Sequence, residues 1–138
     1  MAKSTGITTT VNIDDAGGTP RNLSNDILSI NVATPRGMVD VTGLDKSAIE
    51  RLPLLADGTA DITMAFNPTA TTAQHAVFST ILSSAATRTV TVLYNTSPAA
   101  TLTMEMLFSN YQLQRGQDGS LQASASGVLA NGTAPAWS

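Results

Sequence analysis

The run "TLTMEMLFSNYQLQRG", residues 101–116, constrains the fold more than any other stretch. Leu102, Met104, Met106 and Phe108 alternate with Thr101, Thr103, Glu105 and Leu107, so the backbone is extended and one face is apolar. Past that point the apolar side chains stand at odd positions, Leu107, Tyr111 and Leu113. A slip of one residue sends every side chain of a strand to its other face. The phase change therefore predicts a bulge or bend where one strand passes between two packing environments.

The same period recurs along the chain. "GITTTVNID" sets Ile7, Thr9, Val11 and Ile13 against Thr8, Thr10, Asn12 and Asp14, and Gly17, Gly18 and Pro20 then break it. "NDILSINVAT" places Leu28, Ile30 and Val32 opposite Ile27, Ser29 and Asn31; "GTADITMAFNP" places Ile62, Met64 and Phe66 opposite Asp61, Thr63 and Ala65. "TRTVTVLYN" is a further strand. After the hairpin signal Asp118-Gly119, "SLQASASGVLANG" returns with small faces, Leu121, Ala123 and Ala125 against Gln122, Ser124 and Ser126. Thr71 and Gln74 stand at capping-box spacing, and Ala73, Ala76, Val77, Ile81 and Leu82 follow at helical intervals, which predicts one helix over residues 72–82. The reading is a mainly β chain: a β-sandwich or partial barrel of six to eight strands, one flanking α-helix, and a single domain over residues 1–138 without repeat or linker.

Residues 34–57 interrupt this regularity. In "LDKSAIERLPLLADG" Ser47 and Glu50 have N-cap and N3 spacing, but Pro53 stops any helix after about one turn, residues 48–52. One turn does not survive alone in water. Ile49, Leu52, Leu54 and Leu55 are then covered either by the body of the domain or by a neighbouring subunit. A long insertion of this kind is more often a functional loop or arm than filler.

Charged residues make up 12% of the chain, about half the usual share, and Ser plus Thr about a quarter. A surface poor in charge and rich in hydroxyls suits a chain that faces other protein over much of its area. With only 4% aromatic residues, the core is built from aliphatic side chains, Met and Ala. The net charge of −3 and scattered basic residues argue against a nucleic-acid grip, which needs a basic patch. There is no cysteine, hence no disulfide framework and no thiolate nucleophile. The start, "MAKSTGITTT", has no apolar signal region and no run approaches a membrane span, which is the expectation for a soluble protein made in the cytoplasm.

The search for chemistry is short. His75, the single histidine, lies off the apolar stripe and reads as a surface or rim residue. Asp14 and Asp15 are adjacent and so point to opposite faces of a strand. "DGTAD", residues 57–61, lacks the ligand positions of a calcium loop, and no phosphate-binding loop is present. No catalytic, cofactor or metal residue is assigned, and the weight moves to binding or assembly.

In order, "VDVTGLDKSAIERL", "DGTADITMAFNP", the helix "AQHAVFSTIL", "RTVTV" and the closing "MLFSNYQLQRGQDGSLQASASGVLANG" resemble a major tail tube protein of long-tailed phages over nearly the whole chain. The resemblance implies hexameric rings stacked into a tube, with strands of neighbouring subunits joined edge to edge so that the barrel is completed only by oligomerisation. It implies a location in the virion tail, and as partners a tape-measure protein, terminator and baseplate proteins, and DNA passing through the lumen without specific binding. It implies no membrane partner. Edges that endanger a monomer vanish in such a ring, and an acidic, hydroxyl-lined channel repels phosphate where a basic one would hold it.

By the same resemblance Ile49, Leu52, Leu54 and Leu55 make ring-to-ring or subunit contacts; the alternative is that the short helix plugs one end of its own sandwich. The polar strand faces, Asn31, Asp61, Thr63, Thr103, Glu105, Gln122 and Ser124, are the expected lumen lining. The alternatives are a discrete β-sandwich binding or adhesin module, which would usually expose more aromatics than Trp137, or the inner tube of a contractile tail or secretion system.

Overall fold

A computed structural model describes residues 5–138 of the chain. Strands form wherever the alternation runs. β1 (Thr10–Asp14) buries Val11 and Ile13; β2 (Pro20–Asn22) folds back on it through the Gly17-Gly18 turn. β3 (Ile27–Ala33) follows, then β4 (Arg36–Asp40), β5 (Arg51–Ala56) and β6 (Thr59–Ala65). After the helix α1 (Gln74–Phe78) come β7 (Arg88–Thr96), β8 (Ala99–Arg115), β9 (Leu121–Leu129) and the short β10 (Ala136–Trp137). One open sheet runs β2-β1-β7-β8-β9-β6-β3, with β10 beside β8, while β4 and β5 make a separate two-stranded sheet.

β8 organises the whole. Its residues 99–106 pair with β7, and its residues 106–115 pair with β9, with a register shift between Phe108 and Asn110. This is the bulge that the phase change predicted. It lets one strand serve two leaves, β2-β1-β7 with the first part of β8, and β9-β6-β3 with the second. The apolar faces of both leaves meet in one core, in which Ile13, Val90, Val92 and Met104 pack with Ile62, Met64, Ala123 and Ala125. Leu23, in the crossing between leaves, is fully buried.

The helix is shorter than expected and is capped differently. Thr71 has φ +67°, outside helical space, so the Thr71–Gln74 capping box does not form. Asp26, from 48 residues earlier in the chain, accepts the Gln74 amide at 3.2 Å and the Asn67 side-chain amide at 2.8 Å. At the other end Arg88, 2% exposed, donates to the Val77 carbonyl and to Thr80 Oγ1. Burial pulls the Arg88 pKa down, against the attraction of Asp15 and Asp14. Both orphan ends of α1 are thus satisfied by distant side chains. The helix packs through Val77 and Phe78, whose ring meets Phe108 edge-on at 5.0 Å. Leu82, expected on the apolar stripe, is exposed because the chain has left the helix after Phe78.

The one-turn helix expected at residues 48–52 is absent. Residues 51–56 are strand, and Ser47 and Glu50 cap nothing: Glu50 offers its amide to Thr42 Oγ1 at 2.8 Å and its carbonyl to Val41 at 2.9 Å. A neighbouring strand supplies partners to the whole segment, which one helical turn could not. Pro53, opposite Met38, is tolerated because a strand in a two-stranded ribbon always has a free edge.

Candidate assembly surfaces

Three features of the fold are incomplete in a lone chain. The first is the β4–β5 ribbon, an arm over residues 34–57. Asp57 donates its amide to the Pro35 carbonyl at 2.8 Å and closes the root, and Arg36 Nε donates to the Leu54 carbonyl at 2.9 Å. Near the tip, Asp40 accepts both the amide and the hydroxyl of Thr42, and these hydrogen bonds hold its carboxyl below the usual carboxylate range. Val39 faces Leu52 across the ribbon, and Leu54 and Leu55 together oppose Gly37 at a bulge. Ile49, Leu52, Leu54 and Leu55 are 61%, 51%, 50% and 90% exposed. Each keeps half or more of its surface open. Of the sixteen large apolar side chains exposed among the described residues, eight stand on the arm. Met38, Val39, Val41 and Leu44 belong to this set and were not singled out from the sequence, although "MVDVTGL" alternates. Two-stranded ribbons are marginal alone, and this one carries its apolar surface outward.

The second feature is the outer face of the leaf β8-β9-β6-β3. Registers place Asn31, Asp61, Ser126 and Asn110 in one row, Ser29, Thr63, Ser124 and Gln112 in the next, and Gln122 beside Gln114 in a third. Five of the expected lumen residues, Asn31, Asp61, Thr63, Gln122 and Ser124, therefore share one surface. Asp61 is the only charged residue in these rows. Asn110, Gln112 and Gln114 join them because the bulge reverses the phase of β8, and that reversal was the signal by which they could have been found.

Thr103 and Glu105 are not there. They precede the bulge and lie on the outer face of the other leaf, where Thr103 pairs with Thr91 and Ala136, and Glu105 Oε2 accepts the Thr89 hydroxyl at 2.7 Å. The two outer faces lie on opposite sides of the core.

The third feature is a pair of free edges. Among the described residues β3 pairs only with β6, and β8 beyond Met106 pairs only with β9. Every pairing between them is antiparallel. Hence β8 and β3, at the two edges of a four-stranded leaf, run in opposite directions, and β3 of one copy would meet β8 of a copy related by rotation in antiparallel fashion.

His75 sits at the rim of the helix, half-buried, with Nδ1 2.9 Å from the Tyr111 hydroxyl, which donates to Gln74 Oε1 at 3.1 Å. The Tyr111 pKa is raised by burial, against this hydrogen bond. The trio ties α1 to β8 just past the bulge.

No family model matches the sequence, and no curated protein matches it. Solved structures do. A chain from the tail of an empty GTA particle, obtained by helical refinement with C6 symmetry, superposes with TM-score 0.77 over 99% of each chain at 11% identity. The SPP1 tail tube superposes with TM-score 0.71 over 96% of this chain and 81% of that one, at 11% identity. A chain of the anti-feeding prophage baseplate gives 0.66 over 100% and 97%, at 10% identity. The chain thus has the fold found in the tail of a gene transfer agent particle and in the SPP1 tail tube.

Proposed function

We propose that the chain is a tail tube subunit of a virion, residues 1–138 forming one tail-tube domain with an arm over residues 34–57. The observation that carries the reading is the full-length likeness of fold to a chain from a helical, C6-symmetric tail. In this reading six copies form a ring in which β3 of each subunit joins β8 of the next, and six four-stranded leaves close one barrel. Closure removes both free edges, which in a monomer invite uncontrolled pairing. The rows headed by Asn31–Asp61 and Thr63–Ser124 then line the lumen, and Thr103 and Glu105 lie on the outside of the tube. A wall of amides and hydroxyls with one carboxylate per subunit offers phosphate no cation, so DNA passes without being held. Ile49, Leu52, Leu54 and Leu55 carry the arm's contact to the adjacent ring, which buries apolar surface left open in the subunit.

The role is structural, with no reaction assigned to any side chain. Partners in this reading are further copies of the chain, a tape-measure protein in the lumen during assembly, and terminator and baseplate proteins at the tube ends. The likeness to a baseplate chain of the anti-feeding prophage favours, as a second reading, the inner tube of a contractile tail or secretion system.

Negative-stain electron microscopy of the purified protein over a concentration series tests the proposal. Rings or tubes of uniform width are expected. Particles that remain single subunits at every concentration, also when short tube fragments are added as initiators, would count against it.

A further inference from the structure

The arm leaves the body at Gly58. This residue is buried, and a Cβ on it would lie 2.9 Å from Met104 Sδ and 3.3 Å from Pro135 Cγ. A side chain here would push against the Met104 side chain and Pro135, and glycine leaves the backbone the widest conformational freedom. The Gly58 carbonyl accepts the Leu129 amide at 2.8 Å, so the pivot is tied to the end of β9.

From Leu129 the chain turns through Asn131 and Gly132, at φ +65° and +79°, and returns along β8 as β10. Thr101 and Ser138 exchange backbone hydrogen bonds of 2.8 and 2.9 Å, and Trp137 stacks on Tyr94 at 5.9 Å. This strap stands across from the arm's root. Between them lies a cavity of about 340 Å³, walled by Arg36, Leu55 and Asp57 on one side and by Leu129, Thr133 and Ala134 on the other. A glycine at the junction, a cavity beside it and a hydrogen-bonded segment across from it therefore occur together at the base of the arm.

We propose that the C-terminal strap, residues 129–138, is the stop against which the β4–β5 arm pivots about Gly58, so that the end of the chain sets the angle at which the arm leaves the body. The fully pinned strap holds the root; releasing it frees the arm while the two leaves and their core stay intact. The inference concerns the dispersed subunit and stands or falls independently of tube formation.

Millisecond hydrogen exchange with mass spectrometry, on dispersed protein, tests it. The full chain is compared with a chain ending at Gly132 and with Ala136→Pro, which keeps the full length. By the alternation of an antiparallel ladder Ala136 and Thr103 form the next hydrogen-bonded pair after Thr101 and Ser138, so proline there removes a rung. In both variants the Leu129 amide, whose acceptor is the Gly58 carbonyl at the pivot, is expected to exchange about tenfold faster or more, while the amides of β7 hold their rates, as local opening without global unfolding requires. Unchanged exchange at Leu129, with faster exchange confined to residues 99–105, would show that the strap only covers the β8 edge and would overturn the proposal. So would an equal rise in β7, since the strap would then support the whole fold.

Discussion

Replacing Leu52 and Leu55 together by serine separates an arm that docks on another copy from one that completes its own subunit. Leu52 is 51% and Leu55 90% exposed in the lone chain. Full burial of a leucine stabilises by about 1.5–3 kcal/mol. Taking ~2 kcal/mol for each, the open half of Leu52 and nine-tenths of Leu55 leave about 3 kcal/mol to be gained at a contact. At about 1.4 kcal/mol per tenfold change, the concentration needed for assembly should rise by about 100-fold in the double variant. The dispersed subunit loses only the part already covered, about 1 kcal/mol, nearly all of it at Leu52. Pelleting or light scattering over a concentration series reads the first quantity, and urea denaturation of the dispersed protein reads the second. Two results refute the reasoning. A stability loss of about 2–5 kcal/mol, the range for truncating core leucines, would mean that the arm packs on its own subunit. An assembly threshold changed by less than about threefold would mean that the arm contacts nothing in the tube.

Gly127→Ala should cost about 1–3 kcal/mol, because the added Cβ would stand 2.9 and 3.0 Å from Phe108 ring atoms and 3.4 Å from the Leu107 carbonyl oxygen; urea midpoints check it, and Phe108→Leu should relieve more than half. Asp26→Ala should cost about 1–2 kcal/mol through the lost helix cap, with faster amide exchange in residues 74–78 as the readout; intact protection there would refute the role of Asp26. The Thr19 amide, opposed by desolvation and helped by Arg21 and the Gly17 amide, holds the Asp15 carboxyl below the usual carboxylate range. The stabilisation is therefore complete above the unfolded carboxylate pKa and is lost as pH falls through the lower folded value. Asp15→Asn should lie below the parent in urea midpoint at neutral pH and converge with it in acid, once the pH is below the folded carboxyl's pKa. Finally, in assembled tubes Gln122→Cys should react with a small maleimide but not with a polymer-linked one, whereas Asn12→Cys, on the opposite leaf, should react with both; equal protection would place the lumen elsewhere.

Much of the strand pattern was legible because alternation is a local property. A backbone whose side chains alternate Val11, Asn12, Ile13 or Leu102, Thr103, Met104 has one way to bury its apolar half, and neighbours along the chain suffice to state it. The bulge was legible for the same reason, since Phe108 and Tyr111 cannot both face the core from an unbroken strand. Two local signals misled. The capping spacing of Ser47 and Glu50 was real but weak, worth less than the ladder that the segment gains from β4. The spacing of Thr71 and Gln74 lost to a carboxylate 48 residues away, which no window along the sequence contains.

The sequence by itself determined the class of fold, the buried face of long strands such as β1, β6 and the first part of β8, and the apolar excess in residues 34–57. Only the tertiary structure decided which polar faces lie together. Side-chain alternation fixes a residue's face relative to its own strand; which way that face points depends on pairing partners and on where β8 bends. Asp61, Thr63 and Ser124 share a wall because β6 and β9 pair beyond the bulge, and Thr103 and Glu105 are turned from it because they precede the bulge. The free edges of β3 and β8, their antiparallel match, and the strap facing the root of the arm are likewise consequences of strand order. Pairing between distant segments is set by the packing of the whole chain, and no local pattern records it.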